Sequence, residues 1–397
     1  MRILMLANIV PYPARGGIHL RIFHLLKRIA EHHDVTLACH MWDEDDRAGI
    51  DALNAAGIHA TGALLRPWSP PRNLLPAVAG ALRGVPPEVT QFAHAELHAI
   101  VQAGAYDLLH VEETILTPYV RSAPKNRHIP KVLTLHNIHF DQGRRIATVE
   151  PTLRRRAWKA GNAVWMRQYE PRVARLFDRC VTVSETDREL LLGCDASLRI
   201  EVVPNGVDTH TLQPLPEHEG PPSLLLVGSM LYRPCADAAI WLVQDILPRL
   251  RARVPDLQVW IVGRGPTPDV LSLAGAGVHI VGTVSDVTPW YQRATVAAVP
   301  LRAGGGSRLK ILEAMALGRA VVSTTLGAEG LHVRDSENIV LADDAEAFAN
   351  ATLALLRDGA LRTRLVKNAR SLVEREYDWN DIVKLQLGIY DQLAAGT

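Results

Sequence analysis

The chain has 397 residues, of which 48% are hydrophobic and 21% charged, with a formal net charge of +1. This length exceeds one ordinary hydrophobic core, so two domains are expected, and the balanced charge argues against nucleic acid as a partner. The four cysteines lie far apart without a Cys-x-x-Cys pair, which indicates reduced thiols rather than a disulfide framework or a zinc site. With neither a signal-peptide pattern nor an apolar run approaching ~20 residues, a cytoplasmic protein is expected.

Short β-branched segments alternate with helical patterns along the whole chain, which is typical of parallel sheets covered on both faces. The first half contains the strand patterns Ile3–Ala7, Val35–Ala38, Leu108–Val111, Lys131–Leu135, Arg179–Val183 and Glu201–Val203. The second half contains Leu224–Val227, Val259–Val262, Val278–Val281, Val296–Val299 and Ala320–Thr324. We therefore expect an α/β fold with two Rossmann-like domains, at residues 1–211 and 223–376. A Pro-rich linker at 212–222 separates them, and a terminal helix follows within 377–397.

Two features of the first half follow its strands. Gly16 and Gly17 separate the first strand from a helix, and such a pair lets a ligand approach backbone N–H groups. A plain tight turn explains the pair equally well, and the absence of G-x-G-x-x-G argues against NAD. His136 and Asn137 end the strand Lys131–Leu135, at the sheet edge where ligands of parallel sheets bind. Position distinguishes this histidine from the other fifteen.

A basic segment spans Leu153–Arg179. It carries eight Lys or Arg residues against two acidic ones, with four aromatic residues between them. A basic helix with an apolar face docks on anionic membrane surfaces. A solvated basic face with its aromatics in the core explains the same pattern, and both interpretations remain open.

Glycines recur after the strands of the second half. Gly228 follows the first of these strands, Arg264 stands between two glycines after the second, and Gly282 follows the third. A single glycine after a strand is an ordinary turn. Repeated at one edge of one sheet, glycines indicate space for a ligand.

The segment Ala303–Gly330 is the most informative part of the chain. Its glycine triplet, 304–306, opens an apolar helix, and the triplet and the helix N-terminus together favour an anion. Arg308 and Lys310 lie in the first turn, where cations are disfavoured unless an anion joins them. Solvated charges on a helix face explain either residue alone equally well. Glu313 lies about 40° from Leu309 around the helix, inside the apolar stripe. Since an unpaired buried carboxylate is costly, we expect a ligand with hydrogen-bond donors to meet Glu313.

Together these motifs resemble those of bacterial glycosyltransferases of family 4, which have the GT-B fold. The resemblance spans nearly the whole chain. The residues that carry it are Gly16–Gly17, TLHN at 134–137, VSETD at 183–187, VPNGVD at 203–208, LLVGSMLYRP at 225–234, IVGRGP at 261–266 and, most specifically, LKILEAMALGRAVVST at 309–324. A subset of the family carries the pattern GGG-x-RLKILEAM at its donor site. The GT-B fold implies two Rossmann-like domains facing a central cleft, with a C-terminal helix crossing back to the first domain.

The resemblance also implies roles for particular residues. Glu313 binds the ribose hydroxyls, His136 is the catalytic residue near the transferred sugar, and Asn137 faces the acceptor. Gly16 and Gly17 approach the donor phosphates, and Gly282 lies by the nucleobase. The remaining donor-binding residues are Gly228, Arg233, Arg264, Gly305, Gly306, Ser307, Arg308, Leu309 and Lys310.

One departure concerns the donor sugar. The family pairs two glutamates eight positions apart, and the partner of Glu313 is replaced by Gly305. That glutamate contacts the transferred sugar, so the sugar is left open. Only Arg233 stands near the place of the usual Arg and Lys after the first strand of the second domain.

The expected function is metal-independent, retaining transfer of a hexose. The donor is a UDP- or GDP-sugar, no other cofactor is needed, and the acceptor is a glycan, lipid-linked or small molecule in bacterial polysaccharide or glycoconjugate biosynthesis. Two alternatives remain: a nucleotide-sugar epimerase with the same fold, and a non-catalytic nucleotide-sugar-binding partner. Peripheral contact with the anionic inner face of the membrane is a further hypothesis.

Overall fold

The computed structural model describes residues 1–14, 16–65, 79–81, 83–90, 92, 94–124, 128–306 and 308–396. The chain divides into two compact units, each built on its own parallel sheet. The first unit comprises Met1–Gly143, Trp158–Pro204 and Val383–Thr397, and the second comprises Arg144–Ala157 and Asn205–Ile382. The predicted α/β class with two Rossmann-like sheets is confirmed.

The first unit contains a seven-stranded sheet in the order β3-β2-β1-β4-β5-β6-β7, with parallel neighbours throughout. Its strands are β1 (Arg2–Ala7), β2 (Asp34–Met41), β3 (His59–Leu64), β4 (Leu108–Glu112), β5 (Lys131–Leu135), β6 (Arg179–Thr182) and β7 (Ile200–Val202). The central strands are apolar at almost every position because helices cover both faces of the sheet.

The second unit contains a six-stranded parallel sheet in the order β10-β9-β8-β11-β12-β13. Its strands are β8 (Ser223–Val227), β9 (Gln258–Val262), β10 (Val278–Gly282), β11 (Val296–Val299), β12 (Ala320–Ser323) and β13 (Val340–Leu341). In both sheets the chain crosses from one side of the first strand to the other. The carboxyl ends at such a crossing form the usual ligand site of the fold.

Helices connect the strands. In chain order up to the second sheet they are α1 (Gly17–Ile29), α2 (Asp46–Ala55), α3 (Pro87–Thr90), α4 (Ala95–Ala103), α5 (His139–Val149), α6 (Leu153–Ala174) and α7 (Glu185–Leu192). The later helices are α8 (Arg233–Trp241), α9 (Leu247–Arg251), α10 (Pro268–Leu271), α11 (Thr288–Gln292), α12 (Leu309–Ala316), α13 (Ala345–Arg357), α14 (Gly359–Glu376) and α15 (Trp379–Ala395). Irregular helical turns cover Thr114–Ser122, Leu242–Ile246 and Leu326–Ala328. Ser184, Asp344 and Asp358 begin α7, α13 and α14 as N-caps, because their side chains accept a backbone N–H of the first turn.

The end of the chain returns to the first unit. From Val383 onward, α15 groups with the first sheet, where Tyr390 is fully buried. The Tyr390 hydroxyl is hydrogen-bonded to Nδ1 of His110 in β4, at 2.5 Å. Within the described residues, no helix combines the length and the apolar character needed to cross a bilayer.

Candidate functional site

Three glycines stand side by side at the carboxyl ends of β8, β9 and β10. The backbone N–H of Gly228 donates to Val262 (2.9 Å), and the N–H of Gly263 donates to Gly282 (2.8 Å). A Cβ on Gly263 would lie only 1.9 Å from the carbonyl oxygen of Gly228, and Gly263 has a φ of +153°. The close approach of two backbones therefore requires glycine here. A Cβ on Gly282 would meet open space.

The glycine triplet leads into α12. Gly304 and Gly306 adopt φ values of +114° and +70°, a region that favours glycine. The N–H of Gly305 reaches the hydroxyl of Tyr232 at 3.4 Å, which ties the triplet to the loop after β8. Leu309 is buried at the start of the helix and contributes to packing.

Lys310 brings a positive charge to the end of β8. Its Nζ lies 3.4 Å from Sγ of Cys235 and 2.7 Å from the position that a Cβ on Gly228 would take. The first turn of α12 and the turn after β8 are therefore in contact. The sequence placed Gly228 and Lys310 in one site, and the structure brings them together.

The guanidinium of Arg308 is buried, with only 7% of the residue exposed. Its Nη1 donates to the carbonyl of Gly305. Its Nε and Nη2 are buried without a hydrogen-bond partner among the described residues. Leaving buried N–H groups of a cation unsatisfied costs free energy, and an anion satisfies them through short, charge-assisted hydrogen bonds. The surroundings of Arg308 thus point to an anionic ligand at the glycine triplet.

Glu313 lies one turn after Lys310 on the same helix. Burial raises the pKa of its carboxyl group to about 7, and the charge of Lys310 opposes that shift. The residue is half-buried, and among the described residues no hydrogen bond to its carboxyl group contributes to the pKa. The carboxyl group is therefore free to accept hydroxyl groups of a ligand.

Two more of the predicted donor-binding residues, Arg233 and Arg264, lie just after the glycines that end β8 and β9, and their contact with the donor stays a prediction. Nη1 of Arg233 pairs with Asp269 at 2.7 Å, and its Nε donates to the carbonyl of Val149 at 3.0 Å. Arg264 is exposed, and its carbonyl accepts the N–H of Met230. Ser307 lies outside the described residues.

In the first unit, the glycine pair begins α1. Gly16 is the N-cap in extended conformation, and Gly17 is exposed. The nearest atom to a Cβ on Gly16 would be Nδ1 of His19, at 3.7 Å, and the first turn carries no acidic residue. The backbone N–H groups at this helix N-terminus are therefore open to an anion.

His136 follows β5 and is 5% exposed. Its Nε2 lies 3.0 Å from Oε2 of Glu112, the last residue of β4, which is fully buried. Sequence reasoning missed Glu112. The signal available was its place at the carboxyl end of a strand, the criterion that selected His136. Asn137 is partly exposed beside it.

The basic helix α6 is mostly exposed in its first half and mostly buried near its C-terminal end. Leu153, Trp158 and Val164 are exposed by 81%, 52% and 65%, and the arginines 154–156 are exposed as well. Near the other end, Tyr169 and Glu170 are buried. Glu170 accepts the first two backbone N–H groups of α5, at 3.0 and 2.9 Å, and burial raises its pKa to about 7.

Within the described residues, no three His, Cys, Asp or Glu side chains come together as a metal site. Metal independence stays a prediction from the resemblance.

Two sequence models of protein families match the chain. The one described as "Glycosyltransferase Family 4" matches residues 15–211, and the one described as "Glycosyl transferases group 1" matches residues 221–358. Together they cover most of the chain.

Individual relatives agree with this assignment. The phosphatidyl-myo-inositol mannosyltransferase of Mycolicibacterium smegmatis is 28% identical over 76% of this chain and 75% of its own length. Among solved structures, sucrose-phosphate synthase from Thermosynechococcus elongatus aligns with a TM-score of 0.74 and 20% identity over all of both chains. HepE from Anabaena, solved in complex with UDP and glucose, aligns with a TM-score of 0.68 and 18% identity, also over all of both chains. The GT-B fold class is thereby confirmed.

Proposed function

Because the chain belongs to glycosyltransferase family 4, we propose that it transfers a hexose from a nucleotide diphosphate sugar to an acceptor, with retention of anomeric configuration. The observation that carries this proposal is the buried guanidinium of Arg308. Two of its nitrogens lack a hydrogen-bond partner in the part of the chain that the structure describes, and Nη2 lies 3.3 Å from the position that a Cβ on Gly304 would take. A diphosphate supplies the anionic oxygens that such donors require.

In this proposal the protein binds the donor through its diphosphate, and the nucleoside diphosphate is also the leaving group. As the bond to the sugar breaks, negative charge grows on the diphosphate oxygens. Arg308 and the ammonium of Lys310 stabilise that charge, and their protein contacts hold both groups in place before the reaction begins. In the proposed chemistry these cations supply the charge stabilisation that other transferases obtain from a metal ion.

The nucleoside is proposed to bind next to the diphosphate. Glu313 is one turn further along α12, and its carboxyl group accepts the ribose hydroxyls. Gly282 leaves open space at the end of β10 for the base. That HepE has been solved with UDP-glucose supports a nucleotide sugar as donor. We propose UDP or GDP as its nucleotide.

The first unit is proposed to serve the sugar and the acceptor. His136 hydrogen-bonds a hydroxyl of the sugar that is transferred, Asn137 contacts the acceptor, and the amides after Gly16 approach the donor phosphates. The M. smegmatis relative acts, by its name, on phosphatidyl-myo-inositol, which supports a lipid-linked acceptor. A glycan or small-molecule acceptor is the alternative.

Peripheral membrane contact by α6 fits a lipid-linked acceptor. The exposed Leu153, Trp158 and Val164 stand among arginines 154–156, Lys159 and Arg167, and residues 151–169 contain no acidic side chain. Exposed apolar groups among cations bind anionic bilayers by burying apolar area and by charge attraction. We propose that the enzyme works at the cytoplasmic face of such a membrane.

A panel of donors tests the proposal and its two alternatives. UDP-, GDP- and dTDP-sugars are incubated with the protein, with and without an extract of lipid-linked and glycan acceptors, and nucleotide release is followed. Release that requires the acceptor supports transfer. An epimerised donor without release shows an epimerase, and binding without either product shows a non-catalytic partner.

A further inference from the structure

We propose that Glu112 is a positioning residue for His136. The carboxylate of Glu112 holds the imidazole with Nε2 protonated and directed into the core, so that Nδ1 is the ring nitrogen that meets the substrate. The inference rests on the proposed role of His136 at the transferred sugar, although its test does not require activity.

The register of the sheet brings the two residues together. Glu112 is the last residue of β4 and pairs with Thr134 of β5, two positions before His136. Oε2 of Glu112 lies 3.0 Å from Nε2 of His136. Both carboxylate oxygens and Nε2 of His136 are buried, and none of the three makes a well-aligned hydrogen bond among the described residues. A fully buried carboxylate needs donors, and the ring N–H of His136 is the donor within reach.

The neighbouring His110 does not compete for this role. Its Nε2 is hydrogen-bonded to the Thr134 hydroxyl at 2.7 Å, and its Nδ1 to the Tyr390 hydroxyl at 2.5 Å. Its Nε2 is also 3.5 Å from Oε1 of Glu112. Both ring nitrogens of His110 are therefore engaged, and burial lowers its pKa, which keeps the ring neutral.

The charges around Glu112 keep it ionised. Burial opposes ionisation, yet the charge of His110 when it is protonated, the hydrogen bond and charge of His136 and the charge of Arg21 together hold the pKa of Glu112 at about 2. At neutral pH, where the His110 ring is neutral, the charge of Arg21 and the ring N–H of His136 favour the carboxylate. Arg21 approaches from α1, His110 from β4, His136 from the end of β5 and the Tyr390 hydroxyl from α15, and these are the titratable groups that face the carboxylate. An ionised carboxylate accepts hydrogen bonds and donates none. It therefore selects the tautomer of His136 with the proton on Nε2.

A matched control lies one residue further along the chain. Glu113 is also buried, and its Oε2 lies 2.6 Å from Nε2 of His139 rather than His136. Glu112→Gln and Glu113→Gln thus remove adjacent buried carboxylates that face different histidines. A general effect of removing buried charge appears in both variants, whereas an effect on His136 itself appears only in the first.

The test is nitrogen NMR of the histidine rings in the full-length protein, with the His136 signals assigned by their loss in His136→Gln. The wild type is expected to show His136 protonated on Nε2 at neutral pH. Glu112→Gln is expected to shift His136 to a mixture of tautomers, and Glu113→Gln to leave it unchanged. In the transfer assay, Glu112→Gln is expected to lower kcat by about 30-fold or more with little change in donor KM, because orientation is lost rather than binding.

A wild-type His136 protonated on Nδ1 overturns the inference without any variant, even if Glu112→Gln fails to fold. An unchanged His136 tautomer in a folded Glu112→Gln overturns it as well. Absence of transfer activity in a wild type with the expected tautomer rejects the proposed function instead, so the two failures are distinguishable.

Discussion

The ammonium group of Lys310 lies where a side chain on Gly228 would begin. A Cβ at position 228 would stand 2.7 Å from Nζ of Lys310 and 2.8 Å from Sγ of Cys235. The end of β8 thus receives its positive charge from α12, more than eighty residues later in the chain. Because Gly228 has no side chain, the ammonium group of Lys310 can lie at the end of β8.

Replacing Gly228 with alanine is expected to displace Lys310. The ammonium is the far end of a flexible side chain and gives way easily, but it leaves the place proposed for the diphosphate, and the buried thiol of Cys235 must shift as well. We expect UDP affinity to fall about tenfold and the thermal midpoint to fall moderately in a variant that still folds, measured by calorimetry and thermal unfolding. Gly275→Ala is the control because a Cβ there meets no atom within 4 Å. Equal UDP affinity in both variants would show that Lys310 is not at the diphosphate.

Gly263 and Gly282 are expected to differ in their effect on folding. A Cβ on Gly263 would collide with the backbone of Gly228 at 1.9 Å, so Gly263→Ala is expected to prevent the second unit from folding normally. Gly282 has a φ of +81°, and a Cβ there would meet no atom within 4 Å. Gly282→Ala is therefore expected to lower the free energy of unfolding only by the cost of the left-handed conformation, about 1–2 kcal/mol. Thermal unfolding of both variants checks the order. Similar midpoints would contradict the close backbone approach.

The strands of both sheets could be predicted from the sequence because each buried strand is a short apolar run between turn residues. Two strands were missed. β3, with the sequence HATGAL, contains a glycine and alternates weakly, and β13 has only two residues. These two edge strands lack the continuous apolar pattern of the central strands, so periodicity does not reveal them, whereas the edge strands β7 and β10 retain enough of that pattern to be predicted.

The site was predictable in part. Glycines after strands and the cations of α12 are visible as local patterns. The burial of Arg308 and the pairing of Arg233 with Asp269 depend on residues distant in the chain, and no local pattern contains them. Glu112 was missed although it directly follows the predicted strand Leu108–Val111, because only the neighbouring strand brings His136 to it.

Donor binding is expected to depend on pH through Glu313. Its pKa of about 7 in the folded protein exceeds the value of 4.5 for an exposed glutamate, so the folded state holds the proton more tightly. Protein stability from this group therefore falls as the pH rises from 4.5 to 7. Donor affinity is expected to rise over the same pH range, because ribose hydroxyls donate hydrogen bonds more favourably to the ionised carboxylate of Glu313 than to its protonated form.

The affinity for UDP-glucose or GDP-mannose, whichever binds, should rise about tenfold from pH 6 to pH 8. In these sugars the diphosphate is esterified at both ends and does not titrate in this range. Glu313→Gln should bind more weakly and without this pH dependence, as measured by calorimetry. A Glu313→Gln variant with the wild-type pH profile would remove Glu313 from the nucleoside site.

Membrane contact by α6 is tested with vesicles. The double variant Leu153→Ser and Trp158→Ser changes only exposed side chains, so folding should be retained while apolar anchoring is lost. We expect at least a fivefold decrease in co-sedimentation with phosphatidylglycerol vesicles, and weaker binding of the wild type at high salt. Leu271→Ser removes another exposed leucine, which lies outside α6, and serves as control. A wild type that ignores anionic vesicles would reject membrane contact.

The most direct test of the donor site is the UDP affinity of Arg308→Gln. Hydrogen bonds to a charged group contribute about 1.5–3 kcal/mol, so loss of the guanidinium should weaken UDP binding by about 10- to 150-fold. Arg334→Gln, which removes an arginine whose side chain is 76% exposed, should bind UDP like the wild type. A folded Arg308→Gln variant with wild-type UDP affinity would contradict the central claim that the glycine triplet and α12 hold the donor diphosphate.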